Sequence, residues 1–333
     1  MCQPTLDEAE SHRTAVAPVE ARGGRLRTVL VAGKILVSLG LLAAVAAAGE
    51  LGAIGDLVLR LQPLAALAAV LLLAGIALVS GLRWWLVGRA IAAPLALRDC
   101  ISLMFVGIFF SQVLPTSIGG DAVRILYAGR RGLPYGRAFS GVMLERIGGL
   151  LALVLMVAGG ALWLGERIDP PLLRLALIAA LPGLLVVLAM LCCLDLMPLP
   201  RGLLRVGRPF FALAADARKV LLAPLGSLIL LALSVLSHLL TVGAVFVLAI
   251  GLGVGLEFSA ALAAVPAIVL ITFIPLSFAG WGLREGAAVV MLGFVGLAPE
   301  EAVALSVLLG VATLIAGLPG LAFWLGGGGR GRT

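Results

Sequence analysis

Arg124, Arg284, the adjacent Glu145 and Arg146, and Glu285 all fall inside or beside long apolar runs. An ionised side chain is costly there and usually faces a bundle interior or a wet cavity. The two lone arginines close matching phrases. The first reads Pro115-Thr-Ser117-Ile-Gly119-Gly120-Asp-Ala-Val-Arg124 and the second Pro275-Leu-Ser277-Phe-Ala-Gly280-Trp-Gly-Leu-Arg284. Proline, serine, glycine and arginine keep one spacing, and the offset is 160 residues throughout. Proline ends the incoming arm, and glycine permits tight or left-handed backbone. The arm that follows starts with unpaired N–H groups, which together with the helix dipole make an anion site. A guanidinium within the first turn or so of that arm presents a fork of donors suited to phosphate.

Ser117, Ser277 and Thr116 add hydroxyl donors, and Asp121 stands where it can cap the first return arm, whereas the second phrase has Trp281 there. The same residues also fit a plainer role, with Gly and Pro allowing close packing and each Arg snorkelling to an interface. Two breaks with one shared spacing favour a site. The candidate substrate-binding set is Arg124, Arg284, Ser117, Ser277, Gly119, Gly120, Gly280, Glu145, Arg146 and Glu285, with Pro115 and Pro275 as the structural breaks. Glu145 reads either as a carboxylate that balances Arg124 or Arg284 and exchanges with a lipid phosphate, or as half of an internal ion pair. Glu285 is placed to do the same in the second half. His238 reads as a hydrogen-bonded packing residue, since one histidine makes no proton relay. Two histidines and scattered carboxylates give no metal-ligand cluster. With no Gly-x-Ser-x-Gly elbow and no Walker loop, the sequence names no catalytic residue and no cofactor, and nothing indicates ATP use.

The elements that must position these residues are membrane helices. The chain is 62% hydrophobic and 12% charged, with a mean hydropathy of +1.18. That is too apolar for a soluble domain. The runs lack strand alternation, so an all-α fold is expected. The net charge of +7 comes from arginines scattered among short loops, the pattern of the positive-inside rule rather than of a nucleic-acid-binding surface. Four cysteines give no disulfide framework.

Hydropathy places full spans near 28–48, 63–82, 138–164, 171–194, 221–252 and 302–325. Residues 83–98, with Arg83, Trp84, Trp85, Arg89 and Arg98, read as a cytoplasmic basic stretch. The runs 100–114 and 258–274, each stopping at a proline, read as the incoming arms of two re-entrant hairpins. Their return arms are 122–129 and 285–297. Residues 195–220 read as an interfacial amphipathic helix. The domain plan is a flexible cytoplasmic tail at 1–27, a membrane domain at 28–325 with halves at about 28–164 and 171–325, and a short tail at 326–333. Loop charges put both termini in the cytoplasm and open the hairpins to opposite faces. This is an inverted-topology repeat of six transmembrane helices and two re-entrant hairpins, a transporter architecture. Both halves continue into a span with a similar phrase, Ala138-Phe-Ser140 and Ala304-Leu-Ser306.

The phrases from Leu114 to Arg124, Leu144-Glu-Arg-Ile-Gly-Gly-Leu150, and Ile274 to Gly286 resemble the lysylphosphatidylglycerol synthase membrane-region family, and the resemblance runs from about residue 28 onward. It implies a flippase-like protein of a bacterial or archaeal cell membrane, with Arg124, Glu145, Arg146, Arg284 and Glu285 at matching family positions. The namesake members carry a soluble lysyl-transferring domain, which has no counterpart in these residues, so that activity is not expected here. The expected function is movement of a phosphate-bearing lipid between leaflets, with a phospholipid or polyprenyl-linked headgroup as partner and no nucleic acid. The alternatives are a lipid-modifying enzyme, by aminoacyl or glycosyl transfer, and a non-transporting partner of a lipid-synthesis complex.

Overall fold

Proline opens the two long helices at the centre of the structure, Pro63 and Pro224, each in the first turn, where its missing N–H costs nothing. The structure, a computed structural model, describes residues 55, 57–114, 119–196, 201–273 and 282–327, with backbone alone at 201–208 and 327. In chain order the helices are α1 (Pro63–Ala90), α2 (Leu97–Val113), α3 (Gly119–Arg130), α4 (Tyr135–Leu164), α5 (Pro171–Cys193), α6 (Arg201–Leu221), α7 (Pro224–Leu252), α8 (Phe258–Thr272), α9 (Leu283–Gly293) and α10 (Pro299–Gly327). No strand occurs among the described residues. Among the described residues five helices are long and apolar enough to cross a bilayer: α1, α4, α5, α7 and α10. The chain is a multi-pass integral membrane protein, and leucines such as Leu64, Leu67, Leu71 and Leu78 of α1 point outward toward lipid. The sixth expected span, 28–48, and the tail 1–27 lie outside the described residues.

Two expected boundaries move. The expected span 221–252 is one helix that starts three residues later, because proline disfavours helix at the residue before it; α6 ends at Leu221 and α7 runs unbroken from Pro224 to Leu252. The basic stretch after residue 82 is not a loop. Helix α1 continues to Ala90 and buries Arg83 and Trp84, since both find partners inside the bundle.

Helices α2 and α3 form an antiparallel hairpin. Near the break, a Cβ on Gly120 would lie 2.1 Å from the Gly107 carbonyl oxygen, so only glycine allows this crossing. At the other end Arg131 donates to Asp99 Oδ1 (3.0 Å) and Ser102 Oγ (3.0 Å). Helix α3 therefore returns to the level where α2 began. The 17 residues of α2 span about 25 Å, short of a bilayer core of roughly 30 Å.

Packing is reciprocal. Helix α1 lies along α7; α2 packs on α10 while α8 packs on α4; α1 also touches α10 while α7 touches α4. The α1–α7 pair is antiparallel along its length. Gln62 N–H donates to Gly251 O (3.1 Å), Gly75 faces Leu240, and Arg83 donates to Ser234 Oγ (2.8 Å). Helices α3 and α9 end alike: Gly132 (φ 91°) and Gly296 (φ 92°) are left-handed, and Leu133 N–H and Leu297 N–H reach back to Ala128 O and Leu292 O. These caps set the register of the following spans at an offset of 164, from Gly132 to Gly296. Ser140 then falls opposite Ala304, two residues away from the register of the similar phrases.

Each cross-packing contact rests on a glycine. A Cβ on Gly160 of α4 would lie 2.5 Å from Ala263 O of α8, and one on Gly320 of α10 would lie 2.2 Å from Phe105 O of α2. Backbone cannot yield as a side-chain tip can. Gly320→Val is expected to destabilise the protein by about 2 kcal/mol or more, read as a lower melting temperature in detergent. An unchanged melting temperature would show that this contact is not tight.

Helices α5 and α6 stand beside this core. The amphipathic α6 buries Leu213, Ala214, Ala217 and Val220 and exposes Phe210. Its buried Asp216 accepts from Arg137 (3.0 Å), and its Arg218 Nη2 donates to Asp195 Oδ2 (2.6 Å), fastening it to α4 and to the end of α5.

Candidate functional site

The first hairpin and α4 carry a row of alternating charges. Arg83 of α1 donates to Ser234 Oγ and pairs with Glu145 Oε1 of α4. Glu145 Oε2 pairs with Arg124 of α3 (3.2 Å), Arg124 pairs with Asp121 Oδ1 (3.2 Å), and Asp121 Oδ2 pairs with Arg146 of α4 (2.6 Å). The order is cation, anion, cation, anion, cation. Arg83, Glu145, Arg124 and Asp121 are all buried, while the Arg146 side chain is 35% exposed. Arg146 also lies 5.9 Å from the Phe273 ring, just past α8 and beside the second break. The row thus reaches from α7 to the approach of the other hairpin.

Local structure explains the placement. Gly107 lets α2 pass the Arg124 stem, since a Cβ there would lie 2.6 Å from Arg124 Cδ. Trp84 stacks on the Arg124 guanidinium at 4.5 Å, and Gly141 leaves room for the Trp84 indole. Stacking fixes the plane of the guanidinium and leaves its in-plane donors to find partners. Arg124 Nε and Nη2 and Arg83 Nε are buried with no hydrogen-bond partner. Gly119 and Gly120 begin α3, so the free N–H groups of its first turn lie one turn from Arg124.

The start of α9 and α10 build a different cluster. Glu285, fully buried, accepts from Gly282 N–H (2.6 Å), from Arg284 Nη2 (2.8 Å) and from the Ser306 hydroxyl (3.0 Å). Arg284 Nε donates to Ser306 Oγ (3.0 Å). Glu285 thereby reaches back from the first turn of α9 to cap the Gly282 N–H. Beside it lies a cavity of about 40 Å³ lined by Val245, Ile268, Thr272, Arg284 and Leu305 among others. It has room for a water or so, not for a headgroup.

Of the candidate residues, Arg124, Glu145, Arg146, Gly119 and Gly120 come together, and Arg284 and Glu285 form their own cluster. Pro115, Ser117, Pro275, Ser277 and Gly280 lie outside the described residues. Glu145 pairs with Arg124 and Arg83, not with Arg284. His238 Nε2–H donates to Gly149 O (2.9 Å), the packing role expected of it. Sequence reading missed Arg83, Ser234, Trp84 and Ser306 as partners, and gave Asp121 a capping role alone. The signal for Arg83 was present: no proline separates Leu82 from Ala90, so it belongs to the α1 span, where the cost of burial calls for a carboxylate. Among the described residues no group of three His, Cys, Asp or Glu side chains is placed to hold a metal ion.

Long apolar helices around sealed ion pairs define a polytopic membrane protein with a charged interior. The chain belongs to the family described as lysylphosphatidylglycerol synthase TM region, whose sequence model matches residues 31–320. No curated protein matches it.

Proposed function

We propose that this protein moves a phosphate-bearing lipid between the leaflets of a bacterial or archaeal cell membrane. The observation that carries the reading is the buried Arg124, paired on one side yet holding unpartnered donors on the other, beside the first turn of α3. Those donors and the helix N-terminus suit a phosphate oxygen. The headgroup would sit at Arg124 with its tails in the bilayer, and the Arg284 cluster would hold the second hairpin in place. The family's name, with phosphatidylglycerol in it, supports a phospholipid; a polyprenyl-linked headgroup shares the chemistry.

The reading includes an inverted repeat. Its units are α1–α4 and α7–α10, so the second unit begins at Pro224 rather than near 171, with α5 and α6 inserted between. Reciprocal packing and an antiparallel α1–α7 pair support it, because equivalent helices run oppositely when a repeat is inverted. The two short hairpins are then re-entrant, both termini face the cytoplasm, and rocking of one unit against the other alternates access.

The test is translocation of a fluorescent phospholipid in proteoliposomes. Arg124→Ala is expected to fall to the rate of protein-free vesicles while the purified protein keeps its elution profile and helicity. A wild-type rate in this variant overturns the assignment.

A further inference from the structure

The charge row in the first hairpin has a property its partner lacks. Each carboxylate divides its two oxygens between two arginines: Glu145 between Arg83 and Arg124, and Asp121 between Arg124 and Arg146. Arg124 is the middle cation: it contacts both carboxylates, and its Nε and Nη2 have no hydrogen-bond partner. If Arg124 turns away, Glu145 keeps Arg83 and Asp121 keeps Arg146, so no buried carboxylate is stranded. If Arg83 leaves instead, Glu145 depends on Arg124 alone. A buried ion left without its partner is strongly unfavourable, so Arg124 can turn away without stranding a carboxylate only while Arg83 and Arg146 stay in place.

The second cluster is built the other way. Among the described residues the cation paired with Glu285 is Arg284, and Glu285 is fully buried. Moving Arg284 away would leave that carboxylate with the Gly282 N–H and the Ser306 hydroxyl but without its paired charge.

We infer that Arg124 is a transferable cation, and that Arg83 and Arg146 are positioning residues that neutralise Glu145 and Asp121 while Arg124 binds an anion. The inference rests on the lipid-transport reading and deepens it. It assigns the phosphoryl group of the headgroup to Arg124 and gives Arg83 a part in binding without contact. Three guanidiniums face two carboxylates in the row, so one positive charge is left over. That surplus matches a singly charged phosphodiester. Arg83 is suited to staying behind, since Ser234 of α7 anchors its other terminal nitrogen (2.8 Å). Arg146, partly exposed and beside Phe273, stands where an incoming anion first meets the row.

The experiment measures binding of a short-chain fluorescent phosphatidylglycerol to the purified full chain in detergent, with inorganic phosphate as competitor to separate headgroup recognition from a free-phosphate site. Arg124→Gln is expected to lose binding by roughly a hundredfold, the loss of a charge-assisted, bidentate contact. Arg83→Gln should weaken it about tenfold, because Glu145 then detains Arg124. Adding Glu145→Gln to Arg83→Gln should restore binding to within about threefold of wild type, and Glu145→Gln alone should bind more tightly than wild type. A merely structural Arg83 would lower the melting temperature in step with the affinity, whereas here the affinity falls in protein whose elution profile and helicity are those of wild type. Wild-type affinity in Arg83→Gln, or a double variant no better than the single, overturns the inference. The two readings fail separately. The binding pattern without translocation by wild-type protein sinks the transport reading alone. Translocation that needs Arg124 but ignores Arg83 sinks the inference alone.

Discussion

Glu285→Ala is expected to lower stability by about 3–5 kcal/mol, the cost of breaking a buried ion pair by removing one partner. Three groups converge on this carboxylate: the Gly282 N–H, the Arg284 guanidinium and the Ser306 hydroxyl. Alanine leaves the arginine without its paired carboxylate and opens the cap of α9 at its first turn. The loss should appear as a melting temperature lower by roughly 10 °C in detergent. Glu285→Gln should lose less, because its amide oxygen still accepts from Gly282 N–H while the charge is gone. The order matters more than the size of either shift. Equal melting temperatures for the alanine variant and the wild type would mean that the Arg284 cluster is not holding α9 in place.

Much of the bundle was legible because hydropathy and proline act locally. Pro63, Pro171, Pro224 and Pro299 open long helices, and apolar runs between basic loops fixed where spans lie. The first broken phrase gave the turn-back of α3 on α2, since the spacing of Gly120 and Arg124 is a local pattern. The partners of the charges were not legible, because they are non-local. Arg83 lies 62 residues from Glu145 and 151 from Ser234. Its neighbours Trp84, Trp85 and Arg89 look like an interface, and Arg89 stacked on Trp85 behaves as one. Only the fold tells Arg83 from Arg89: the first turns inward to a carboxylate, the second outward. The asymmetry of the halves was half visible. Asp121 against Trp281 was plain in the phrases. That Arg146 falls opposite Gly310, the residue against which Arg284 packs, needed the register set by Gly132 and Gly296. One arginine position thus meets carboxylates from different places in each half, and its two copies are free to take different roles.

A cysteine placed in each break, Ile118→Cys and Phe278→Cys in a background freed of the native thiols, is expected to react with a membrane-impermeant reagent from opposite sides. The reasoning runs from one helix pair. In the proposed repeat α1 and α7 begin equivalent units, and they meet head to tail: Gln62 at the start of α1 bonds to Gly251 at the end of α7, while Arg83 near the end of α1 reaches Ser234 in the first half of α7. Equivalent helices that run oppositely carry everything after them in opposite senses. Helix α3 returns to the level at which α2 began, held there by Arg131 on Asp99 and Ser102, so the first hairpin opens where α1 ends. On the proposed repeat the second, following α7, would open at the other face. The Arg146–Phe273 contact marks where the first row nears the end of α8. Labelling of both cysteines from one side alone would place the hairpins in parallel. Arg124 and Arg284 would then serve one compartment, and a phosphate passed across the bilayer would have no second face to reach.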